Sequence, residues 1–160
     1  MHASTRRYQI IVAGLLVPIL LTATSATHEP LFELKITEFA ACAGIMTDYH
    51  ITPSRIVLIR RDDFGSPPKE LLRIVPESSE VSRLESSLRQ LPLDMLADSY
   101  VDDRVDDGWE LTFEIQVDLG TKRRIHLANM CQKDLSSLCE QVNRMVGVQH
   151  KLIVPCPYRP

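Results

Sequence analysis

The stretch WELTFEIQV, residues 109–117, alternates apolar and polar side chains without a break. Period two marks a strand with one buried face. Trp109, Leu111, Phe113, Ile115 and Val117 therefore point one way, and Glu110, Thr112, Glu114 and Gln116 the other. Asp118-Leu119-Gly120 follows, and then a second strand over residues 121–128 (TKRRIHLA). A three-residue loop with Gly120 in the left-handed region is a common connection between antiparallel strands. It sets Phe113 opposite Ile125 and Leu111 opposite Leu127 on the buried face. On the outer face it sets Glu114 opposite Arg124, Gln116 opposite Lys122 and Thr112 opposite His126. A slip of one residue would mix the two faces, so turn and pattern specify one register.

The flanking segments extend this layer. Residues 31–36 alternate Leu31, Glu33 and Lys35 against Phe32, Leu34 and Ile36, a further half-buried strand, and residues 39–44 read as a small-residue connection. Residues 48–52 and 55–60 flank Pro53-Ser54 as a second hairpin. Residues 61–68 are loop-forming, and 71–75 form a short strand. Ser78-Ser79 supplies an N-cap for a helix whose stripe is Val81, Leu84, Leu88 and Leu91, ended by Pro92. A last helix spans 132–146, with Leu135, Leu138, Cys139, Val142, Met145 and Val146 on its apolar side and Gly147 as its stop. Residues 152–154 form a tail strand or packed extension. Hairpins and two helices without βαβ alternation predict an α+β fold: an antiparallel sheet with two main helices packed on one face.

The chain has 160 residues, 44% hydrophobic and 24% charged, which excludes a disordered chain and a polytopic membrane protein. Its formal charge of −3 speaks against a nucleic-acid partner. The N-terminus differs from the rest. Arg6 and Arg7 precede an uncharged run over 10–21, then the small residues 22–26. This is the layout of a secretory signal peptide. Twelve helical residues cover roughly 18 Å, short of a ~30 Å hydrocarbon core, so removal after Ala26 is expected rather than a membrane span. The single domain is then 27–160, exported to a periplasm or the extracellular space. It carries 16 basic against 21 acidic residues, net −5.

All four cysteines, Cys42, Cys131, Cys139 and Cys156, lie in that domain, and an even count in an exported chain predicts two disulfides. Cys131 and Cys139 stand about 12 Å apart along one helix, beyond the roughly 4.4–6.8 Å that a disulfide spans. The pairings left are Cys42–Cys131 with Cys139–Cys156, the preferred one, or Cys42–Cys139 with Cys131–Cys156. Their spacing lacks the close ligand pairs of a zinc site.

Seven acids, Asp94, Asp98, Asp102, Asp103, Asp106, Asp107 and Glu110, fall within residues 94–110, answered only by Arg104. An EF-hand frame starting at Asp103 places Gly108 and Glu114 correctly but fails at Val105 and Glu110, and a strand follows it. No metal and no cofactor is assigned. Arg60-Arg61 is answered by Asp62-Asp63. His28, His50, His126 and His150 stand without metal-ligand spacing, and no GxSxG elbow occurs. The expected function is a small non-enzymatic binding module acting on a protein partner. Its contact surface would comprise Asp102, Asp103, Asp106, Asp107, Glu110, Glu114 and Arg124. The alternatives are a small hydrolase assembled around His50 or His126, and a calcium-stabilised domain.

Overall fold

The computed structural model describes residues 31–62, 65–105 and 108–155. The proposed signal segment, Asp106, Asp107 and Cys156 fall outside these. Among the described residues seven strands form one sheet: β1 (Phe32–Ala40), β2 (Ile45–Thr52), β3 (Arg55–Asp62), β4 (Lys69–Ile74), β5 (Ser99–Val101), β6 (Trp109–Val117) and β7 (Arg123–Ala128). With the α-helices α1 (Ser78–Gln90) and α2 (Lys133–Val146) the described residues make an α+β fold. The strand order is β4-β3-β2-β1-β6-β7-β5. The first strand thus lies at the centre and joins two hairpins, and all pairings are antiparallel except β5 with β7.

One face of the sheet supplies the core. Leu34, Ile36, Ile51, Ile56, Leu58, Leu111, Phe113, Ile115, Ile125 and Leu127 have no exposed surface. They share one apolar cluster with Val81, Leu84 and Leu88 of α1 and Leu135, Leu138, Cys139 and Val142 of α2. Trp109 and Val117, at the strand ends, are half-buried against it.

The 109–128 register is the expected one: Leu111 pairs Leu127, Thr112 His126, Phe113 Ile125 and Glu114 Arg124. Its turn differs. Gly120 does not take the left-handed conformation; Asp118 does, at φ 53°. The Gly120 N–H donates to the Val117 carbonyl at 3.1 Å, closing the chain at Asp118-Leu119. Aspartate tolerates that conformation, and Arg89 donates to both its carboxylate oxygens at 2.6 Å. The ladder consequently ends at Ile115–Arg123. Lys122 reaches Glu33 at 3.6 Å, and Gln116 donates to the Gly120 carbonyl at 2.9 Å.

Other boundaries move for local reasons. β1 runs on to Ala40, because both neighbouring strands pair with residues 37–40. The residue capping α1 is Glu77 rather than a serine, and its side chain makes no capping bond. Gly147 ends α2 as expected, at φ 79°. Residues 152–154 form no strand. Asn143 instead holds Leu152 by its N–H (2.6 Å) and its carbonyl (2.9 Å). The acidic stretch is not all loop: Ser99–Val101 forms β5 beside β7.

The cysteine expectation needs correction. Cys42 and Cys139 are free thiols, the first exposed and the second buried in α2, so neither of the two double pairings forms. Cys139 sits in the core as a small apolar side chain, and burial pushes its thiol pKa up, with Glu38 nearby adding to the shift. Cys131 is not one of the free thiols.

Candidate functional site

The sheet's second face is polar, and its alternation places three rows of side chains across the strands. The first row runs Val57, His50, Lys35, Glu114, Arg124; the second Ile59, Asp48, Thr37, Thr112, His126; the third Arg61, Met46, Phe39, Glu110. A groove of about 480 Å³ lies over these rows. Lys35, Arg61, Glu110, Glu114 and Arg124 line it with both charge signs, around Phe39 and Met46.

Asp48 organises one side of the groove. It is only 5% exposed, unusual for an aspartate. Its Oδ1 accepts from the Thr37 hydroxyl at 2.7 Å and lies 4.0 Å from Lys35 Nζ. Its Oδ2 accepts from Arg61 Nη2. A buried carboxylate requires such partners. In return it fixes a guanidinium whose Nε is buried without an acceptor among the described residues. Arg61 thus reaches back across the hairpin to Asp48. On the other side, His126 Nδ1 lies 3.3 Å from the Thr112 hydroxyl and its Nε2 3.8 Å from Glu110.

The expected surface is only partly assembled. Glu110, Glu114 and Arg124 come together in the groove. Asp102 does not join them. Its carboxylate accepts from Arg104 Nε (2.7 Å), Nη2 (2.8 Å) and the backbone N–H (3.2 Å), and these bonds hold its pKa below the usual range. Asp103 is exposed in the adjoining turn, while Asp106 and Asp107 lie outside the described residues. Asp98 is paired with Arg123 at 2.9 Å. Asp98 and Asp102 are thus each neutralised by an arginine. Among the described residues no cluster of three or more His, Cys, Asp or Glu side chains could hold a metal ion.

Sequence reasoning missed Lys35, Thr37, Phe39, Met46, Asp48 and Arg61. A usable signal was present: the two-residue turn at Pro53-Ser54 fixes a register that puts Met46 opposite Arg61 and Asp48 diagonal to it. No family model matches the chain, and no curated protein matches it in sequence. Among the described residues no helix is long and apolar enough to cross a membrane.

Proposed function

We propose that this chain is a small exported binding module that holds a protein partner on the polar face of its sheet. The observation carrying this reading is the groove, where a buried carboxylate fixes an arginine beside an apolar floor and opposing acids. A chemically mixed surface of this kind suits protein recognition, with charge setting register and apolar contact supplying affinity. The basic, apolar and small-residue order of the first 26 residues supports export, to a periplasm or the extracellular space. In that setting Cys131 would pair with Cys156, the pairing left once Cys42 and Cys139 are free; the oxidised protein should yield a 131–156 linked peptide.

The test is site-specific photo-crosslinking in producing cells. A photoreactive residue replacing Arg124 should give one discrete adduct, and one replacing the exposed Arg83 on α1 should not. Adducts of equal yield at both positions would refute the reading. A second reading, a small hydrolase, is favoured by one observation: the Thr112 hydroxyl, His126 and Glu110 lie in sequence on the groove's edge, in the order nucleophile, base, carboxylate. It requires ester hydrolysis abolished by both Thr112→Val and His126→Gln.

A further inference from the structure

The third row of the polar face has a chemical polarity of its own. It begins at Arg61 on β3, crosses Met46 on β2 and Phe39 on β1, and ends at Glu110 on β6. Cation and anion thus stand three strand spacings apart, roughly 14 Å, with two apolar side chains between them. An extended chain advances about 3.3 Å per residue, so four residues of it cover roughly 13 Å. Its side chains alternate in direction, so residues i, i+2 and i+4 face the same way. A strand-like segment laid across the sheet would therefore set i over one charged end, i+2 over the apolar middle and i+4 over the other end.

We propose that the groove takes an extended segment of the partner protein in which an acidic residue, an apolar residue and a basic residue occupy alternate positions. The acid meets Arg61, the apolar side chain rests on Met46 and Phe39, and the base meets Glu110. This rests on the binding reading above and specifies the partner's chemistry. Three features support it. Arg61 is held in place by the buried Asp48, so its orientation is set before a ligand arrives. Among the described residues the Glu110 carboxylate has an ion-pair neighbour in His126, at 3.8 Å, too long for a hydrogen bond. Met46 and Phe39 are both half-buried, so some apolar surface remains for a partner to cover. All four strands beneath the row, β3, β2, β1 and β6, have a hydrogen-bonded neighbour on both edges. The segment is thus recognised through side chains rather than added as another strand.

The experiment is selection of a phage-displayed library of linear nine-residue peptides on the purified exported protein. Peptides carrying opposite charges four positions apart, with an apolar residue midway, should be enriched; either chain direction satisfies the spacing. On Glu110→Lys the basic position should become acidic, and Phe39→Ser should cut enrichment at least tenfold. Each variant is first matched to wild type by circular dichroism and melting temperature. Enriched peptides without the four-residue spacing, or unchanged by Glu110→Lys, would overturn the inference. No enrichment, with the Arg124 cross-link still formed, would overturn it too while leaving the binding reading standing. Loss of the cross-link as well would sink both.

Discussion

Replacing Asp48 by asparagine tests whether Arg61 is positioned as described. The substitution keeps the side-chain volume and an acceptor for the Thr37 hydroxyl, and removes only the charge. Its cost lies between two limits. An exposed ion pair contributes about 0.2–1 kcal/mol, whereas breaking a fully buried one costs about 3–5 kcal/mol. The Asp48 side chain is 7% exposed but that of Arg61 is 42% exposed, so solvent screens one partner substantially. We expect a loss of about 1–2 kcal/mol, and a similar loss for Arg61→Gln. In a domain of this size each kcal/mol lowers the melting temperature by about 3–5 °C. The decisive quantity is the coupling energy from the double-mutant cycle, expected at about 0.5–1.5 kcal/mol. Trp109 is the only tryptophan, so its fluorescence in a urea titration reports all four proteins. Glu80 and Arg83, paired at 3.1 Å on the surface of α1, serve as the control, with coupling below about 0.5 kcal/mol. An Asp48–Arg61 coupling no larger than the control would refute the fixed guanidinium.

Gly108→Ala should cost about 1–3 kcal/mol, because a Cβ there would lie 1.8 Å from Asn129 Oδ1 and displace its 3.0 Å bond from the Trp109 N–H. In an Asn129→Ala background the same change should cost almost nothing, and equal costs in both backgrounds would contradict the contact. Burial raises the Glu38 pKa above 4.5, although the carboxylate accepts from the Ile153 N–H at 2.9 Å and from Tyr49. The folded state therefore binds this proton more tightly than the unfolded state, so its stabilising contribution is lost as pH rises from the unfolded value through the raised one. Glu38→Gln should gain stability relative to wild type across that window, and a difference in urea midpoint that stays flat from pH 4 to 8 would count against it. Iodoacetamide should alkylate Cys42 in the native protein at neutral pH and leave Cys139 unmodified until denaturant is added; comparable native labelling of both would contradict the burial of α2.

How far the sequence reveals this fold depends on the range over which each element is specified. The 109–128 hairpin was legible because alternation over nine residues and a nearby turn constrain the same register. α2 was legible because its apolar stripe and Gly147 are both local. β5 was not: Ser99–Val101 is too short for a period, and it is placed by distant partners, the backbone of β7 and the core against which Tyr100 packs. Nor was the continuation of β1 through Phe39 and Ala40, since its partners there lie as far away as Trp109 and Glu110. The candidate site divides along the same line. Glu110, Glu114 and Arg124 share one hairpin and were found together. Asp48 and Arg61 share the other hairpin, but Lys35 and Thr37 reach Asp48, and Glu110 faces Arg61 across the groove, only once β1 lies between the two hairpins.

By joining this hairpin to the one that carries Glu110, the central β1 gives the Asp48–Arg61 pair its meaning. A half-screened ion pair stabilises weakly, and apolar side chains of similar volume often do as well or better. Its stronger effect is on geometry. Ordering a free arginine side chain can cost up to about 2 kcal/mol in rotamer entropy. Asp48 and the hairpin register have already restricted Arg61, so a ligand meeting it is spared most of that cost. The consequence separates binding from stability. Asp48→Asn leaves Arg61 charged and present in the groove but no longer held, so peptide affinity should fall although the contacting residue is unchanged. Glu80→Gln, which releases Arg83 in the same way far from the groove, should leave affinity where it was.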